Sequence, residues 1–130
     1  MPKKYTFTKD ERLKSRKIIG SLFAGGQSYG AYPVRAVWRD LSEKQGSSPV
    51  KIAFSVPKKR FKTAVARNLL KRRMREAWRL QKHRLYGKKT QDSEQTALML
   101  IYTGKEELPY TEIEKAVAKV IWRLGKQDWK

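Results

Sequence analysis

Between Ala64 and Lys82 the chain carries Arg67, Asn68, Lys71, Arg72, Arg75, Arg79 and Lys82, mostly three or four residues apart. On a helix turning about 100° per residue, Asn68, Lys71, Arg72, Arg75, Arg79 and Lys82 share an arc of roughly 240° to 340° from Val65. Val65, Ala66, Leu69, Leu70, Met74, Ala77, Trp78 and Leu80 fill another arc of roughly 220°. Arg67 lies on the border. Arg73 points into the apolar arc, from which its long stem can reach a cleft edge. The chemistry of such a stripe is binding. Guanidinium groups grip phosphates two oxygens at a time and stack on bases, and Asn68 can bond a ribose or a base edge. A merely solvated face would mix signs, whereas Lys71–Arg75 and Arg72–Arg75–Arg79 stack like charges, which costs helix stability until an anion arrives. The stripe alone does not separate RNA from duplex DNA.

Groups that could cut a phosphodiester are scarce. His83 is the only histidine, and no partner is placed beside it as general acid–base work requires. Glu106–Glu107 and Glu112/Glu114 are local pairs, and the second pair suits a helix N-terminus. No catalytic residue and no protein-borne metal site is expected. Aromatic side chains beside a basic groove can stack unpaired bases. Phe23, Tyr29, Tyr32, Trp38, Phe54 and Phe61 qualify by type. Phe54 shares a strand face with Val50, Ile52 and Val56, so it reads as core. Tyr29, Tyr32 and Trp38 stay open between core and stacking.

The elements that must hold these residues follow from pattern. Thr8-x-x-Glu11 resembles a capping box opening a first helix, with Leu13, Ile18, Ile19, Leu22 and Phe23 along it and Gly25–Gly26 ending it. Residues 29–41 alternate loosely around Pro33 and give one or two strands. Residues 50–56 alternate cleanly and give another. Thr63 caps the basic helix, which runs to about Tyr86 and stops at Gly87. Residues 88–95 form a polar linker. Residues 97–102 (ALMLIY) are apolar at every position, as in a central strand covered on both faces. Thr111-x-x-Glu114 resembles a second capping box, before a helix with Ile113, Ala116, Val117, Val120, Ile121 and Leu124 on one face. The order is helix, two or three strands, helix, strand, helix: one α/β layered domain over residues 1–130, ordered from about 8 to 124.

Composition narrows the partner. The 130 residues carry 31 Lys+Arg against 12 Asp+Glu, a net +19. Of that, +13 falls between Lys58 and Lys89. A polyanion would relieve the self-repulsion, nucleic acid first and an anionic membrane second. Cysteine is absent, which removes disulfides and thiolate chemistry and fits a reducing cytosol. The first residues lack the apolar stretch of a secretory signal. The longest apolar run is too short to cross a bilayer.

Residues 54–79, FSVPKKRFKTAVARNLLKRRMREAWR, resemble the signature of the bacterial ribonuclease P protein subunit. There a strand ends in a V-S-K-K-like turn before a helix beginning A-V-x-R-N-R-x-K-R-x-x-R-E. The likeness extends over roughly residues 8–124. It implies an α/β (α+β) sandwich with a four-stranded mixed sheet and three helices in the order α-β-β-β-α-β-α. This is the fold of a small-subunit ribosomal protein's second domain, with a left-handed βαβ crossover through the signature helix. It implies a cytoplasmic ribonucleoprotein that removes the 5′ leader of precursor tRNA by Mg²⁺-dependent phosphodiester hydrolysis. The catalytic RNA holds the metal, and no obligate protein partner or membrane is involved. Carried over by position, Arg67, Asn68, Lys71, Arg72, Arg75 and Arg79 would contact the RNA subunit. Phe23, Tyr29, Tyr32, Lys58, Lys59 and Arg73 would lie along the leader, in a cleft between the first helix and the sheet. Three positions depart from the pattern. Leu69 replaces the second Arg of Arg-Asn-Arg, Ile19 stands where an aromatic is common, and Pro57 replaces Ser in the turn.

Other readings compete. A small basic ribosomal protein would share the charge and size but not the ordered signature. A stand-alone toxin-type ribonuclease needs an acid and a base that are missing. A duplex-DNA architectural protein needs groove wedges that are not evident.

Overall fold

A computed structural model describes residues 7–42, 46–87 and 94–126. After a single 3-10 turn, Lys9–Glu11, come α1 (Arg16–Gly25), β1 (Gln27–Ala31), β2 (Val34–Leu41) and β3 (Val50–Ser55). Then follow α2 (Ala64–Gln81), the one-turn α3 (His83–Tyr86), β4 (Gln95–Tyr102) and α4 (Tyr110–Gly125). One mixed sheet runs β1-β2-β4-β3, with β3 and β4 parallel and the other pairs antiparallel. The linker expected at residues 88–95 lies mostly outside the described residues. Gln95 is already strand.

Strand parity sorts the side chains. Ala36, Trp38, Val50, Ile52, Leu98, Leu100 and Tyr102 point to one face, where α2 and α4 cover them. Val37, Ala97 and Met99 point to the other, where Ile18, Ile19 and Leu22 of α1 and Leu13 pack. Every position of β4 except Ile101 is buried, as a run apolar on both pleat faces requires.

The Thr8–Glu11 capping box is present but opens a 3-10 turn rather than α1, and the second expected box gives way to another cap. Thr8 does bond Glu11, its N–H donating at 3.0 Å to Oε1. That pair closes only the 3-10 turn, and α1 starts at Ser15, whose hydroxyl accepts from the Ile18 N–H at 3.3 Å. At the other end of the chain Pro109 is the N-cap, so Thr111 lies inside the first turn of α4. Gly26 is the C-cap of α1, where only glycine fits: a Cβ there would sit 2.4 Å from the Leu22 carbonyl oxygen. The hairpin from β1 to β2 turns at Tyr32–Pro33, whose peptide bond is cis.

Candidate nucleic-acid interface

Thr63 caps α2, its hydroxyl accepting from the Ala66 N–H at 3.2 Å. Leu70, Met74, Ala77, Trp78 and Gln81 form the buried face. The dry side is narrower than the helical period predicts: Val65 is 81% exposed and Leu80 is exposed as well. The sheet and α4 meet α2 on one flank only, so the centre of the solvent face lies near Val65 and Arg72. Val65, Asn68, Leu69, Lys71, Arg72 and Arg75 line one shallow depression. Lys71 and Arg75 also border a second, floored by Ile52, Ala53 and Phe54 and flanked by Phe7, Arg12 and Lys14. The Arg75 guanidinium stands 5.8 Å from the Phe54 ring centre, and Phe54 meets Phe7 edge to face at 6.1 Å. Phe54 thus packs against the core as expected, yet it is half-exposed at the β3 edge.

Four of the basic residues of this region are engaged within the fold. Arg67 donates to the Phe61 carbonyl at 2.8 Å, which ties the helix to the loop before it. Arg73 donates to the Leu108 carbonyl at 2.8 Å. Its stem snorkels, but toward the loop before α4 rather than a leader cleft. Arg79 pairs with Glu76 through Nη2–Oε1 at 2.6 Å and Nε–Oε2 at 3.0 Å. Arg79 thereby holds the Glu76 carboxyl below its usual range. Lys82, counted on the stripe by periodicity, is 2% exposed and bonds the buried Glu11 carboxylate. The helix breaks there, so the expected single helix to Tyr86 is two. Burial pushes the Glu11 carboxyl up, but hydrogen bonds from Lys82, Tyr86 and Thr8 outweigh it and hold it below its ordinary value. Burial and the Glu11 carboxylate together drive the Tyr86 phenol far above its own. Lys71, Arg72 and Arg75 form no salt bridge to any described residue.

The opposite sheet face is half covered. α1 lies over Val37, Ala97 and Met99 and leaves Arg35, Ser55 and Ile101 open or half-open. Phe23, 61% exposed, lies in the last turn of α1, just before the chain enters β1. Tyr32, 68% exposed, stands at the far end of β1, the end at which β3 delivers the exposed Lys58 and Lys59. The two ends are separated by the length of β1, about 13 Å at about 3.3 Å per residue. Tyr29 does not belong to this group. It pairs with Ala36 and packs on the α2–α4 side of the sheet. The alternation of β1 (QSYGA) is too weak to fix its parity from sequence. Trp38 and Phe61 are core.

Among the described residues no three His, Asp or Glu side chains converge as metal ligands. Nor is any helix among them long and apolar enough to cross a membrane.

Residues 7–125 match the family model described as Ribonuclease P. A protein of Porphyromonas gingivalis named ribonuclease P protein component is 36% identical over 125 residues, covering 95% of this chain and 90% of that one. A protein of the same name from Chlorobium phaeobacteroides is 40% identical over 80 residues, covering 60% of this chain and 55% of that one. Among solved structures, the RNase P protein of Staphylococcus aureus superposes with a TM-score of 0.67 at 18% identity, covering 91% of this chain and 97% of that one. That of Thermotoga maritima gives 0.66 at 21%, covering 87% and 96%.

Proposed function

The chain belongs to the ribonuclease P protein family, the protein component of an endoribonuclease holoenzyme that processes tRNA, and we propose that within the holoenzyme this subunit binds and does not cut. Asn68, Lys71, Arg72 and Arg75 grip phosphates of the ribonuclease P RNA. The open half of the α1-side face, from Phe23 to Tyr32, Lys58 and Lys59, takes the unpaired 5′ leader of precursor tRNA. The observation that carries this reading is the set of three cations, Lys71, Arg72 and Arg75, left without an acidic partner among the described residues beside an apolar, aromatic floor. Such a combination suits phosphates with bases stacked beside them.

Mg²⁺ keeps much of its water and takes its remaining ligands largely from phosphate oxygens, and among the described residues no three carboxylate or imidazole groups converge. In this reading magnesium belongs with the RNA. The protein neutralises phosphate charge and positions the leader, in the bacterial cytoplasm. The test is 5′ trimming of a precursor tRNA at low Mg²⁺ by ribonuclease P RNA alone, this protein alone, and both. Cleavage much faster with both supports the reading. Cleavage by the protein alone overturns it, and no gain from the protein would leave only structural RNA binding.

A further inference from the structure

On α4, the apolar face from Ile113 to Leu124 is committed to the core. The outward face carries Lys115, Lys119, Trp122 and Lys126, at positions i, i+4, i+7 and i+11. Trp122 is 55% exposed, and the Lys126 ammonium sits 4.0 Å from its ring centre. Among the described residues Lys115 alone of these lysines has an acid within ion-pair reach, Glu112 at 3.9 Å, with both side chains largely in water. Nothing in packing requires a large indole on this face, and like charges one turn apart cost helix stability. We propose that this stripe is a second RNA-docking surface, on which a base of an unpaired strand of the ribonuclease P RNA stacks on Trp122 while Lys119 and Lys126 meet its phosphates.

The choice of partner rests on the reading of α2 above. α2 and α4 lie side by side on the same sheet face, joined by the Gln81 amide donating to the Glu114 carbonyl at 3.2 Å. Their outward faces therefore look the same way, away from the sheet and from the Phe23 side. RNA held by α2 can extend over α4, whereas a leader held beside α1 lies across the sheet. An amphipathic helix resting on a membrane needs a broad exposed apolar face, and α4 exposes one large apolar residue. An exposed tryptophan flanked by lysines is the pattern of a stacking platform in a basic track.

The test uses the full chain and ribonuclease P RNA, with Kd measured across a salt series. Trp122→Ala should bind about tenfold more weakly, Trp122→Phe should keep most of the affinity, and Lys119→Gln/Lys126→Gln should lower the salt slope by about 1.5. In a Trp129→Phe background the other indoles, Trp38 and Trp78, are buried, so RNA should quench Trp122 emission. Arg72→Gln serves as the companion. If it weakens binding while the α4 variants do not, this inference fails and the reading of α2 stands; if none of them does, both fail. Loss seen only when the assembled holoenzyme takes up precursor tRNA, or equal binding of the chain to anionic phospholipid vesicles through Trp122, would likewise overturn it.

Discussion

Charge on α2 divides into cations without an acidic partner among the described residues and cations neutralised within the fold, and the two sets should answer differently to salt. Each phosphate contact contributes about 0.7 to 0.9 to the slope of log affinity against log salt. Replacing Arg72 and Arg75 by Gln removes two such contacts, so the slope should flatten by about 1.4 to 1.8. Between about 50 and 200 mM salt the deficit of the double variant relative to the parent should then shrink by about tenfold. Replacing Glu76 and Arg79 together by Gln removes a neutral pair held at 2.6 Å. That variant should keep the parental slope and lose only the pair's small share of helix stability, about 0.3–0.5 kcal/mol. The assay is fluorescence anisotropy with labelled ribonuclease P RNA at fixed Mg²⁺. Equal flattening in the two double variants would refute the distinction between paired and unpaired charge. An unchanged slope for Arg72→Gln/Arg75→Gln would remove the stripe from the phosphate interface altogether.

Lys82→Met should strand a carboxylate that is itself buried and cost about 3–5 kcal/mol in urea unfolding; adding Glu11→Met should recover part of it, less the loss at Tyr86, which donates to the same carboxylate at 2.7 Å. Because the fold lowers the Glu11 carboxyl, its contribution is present above the ordinary glutamate value of about 4.5 and is lost as pH falls through the folded value. Urea midpoints measured from neutral to acid pH should therefore fall less steeply in the double variant than in the parent. Phe23→Ala should leave stability within about 0.5 kcal/mol and weaken leader-bearing precursor, but not leaderless tRNA, by about fivefold or more. Tyr29→Ala should instead cost about 1–3 kcal/mol of stability and affect both substrates alike, a pattern that would exchange with that of Phe23 if the face assignment were reversed. Arg73→Met should lose about 1–2 kcal/mol with its bond to the Leu108 carbonyl and leave the salt slope unchanged, which anisotropy would show.

Wherever one local period dictated the outcome, the fold was legible. ALMLIY at 97–102 allows neither pleat face to be wet, so β4 had to be central. Alternation in β3 put Ile52 inward, alternation in β2 grouped Trp38 with Val34 and Ala36 without deciding between packing and stacking, and the spacing from Ile113 to Leu124 defined the buried face of α4 before any partner was known. Caps were less legible because a carboxylate can serve a distant group. Glu11 satisfies its local turn, but the bond that matters most for it comes from Lys82, 71 residues on. Pro109, with φ fixed near that of a helix start, begins α4 before Thr111 can cap it. β1 has the residue order QSYGA, so only its pairing with β2 could tell which face Tyr29 would take.

The interface shows the same limit at the level of charge. Helical period reports which residues share a flank, but not which cations the fold has already neutralised. Two of the stripe's cations are neutralised, Arg79 by an acid one turn away and Lys82 by an acid from the N-terminal turn. What remains, Asn68 to Arg75, lies in the middle of α2 and reaches the β3 edge through Lys71, Arg75 and Phe54. β3 ends at the turn carrying Lys58 and Lys59, and that turn opens on the face bordered by Phe23 and Tyr32. One strand therefore separates the proposed grip on the RNA subunit from the proposed leader path. Leu69 sits within the first depression, between Val65 and Arg72, in the place where the family pattern has an arginine. The proposed contact with RNA would be apolar there, which would leave the specificity of this stretch to Asn68 and the three cations around it.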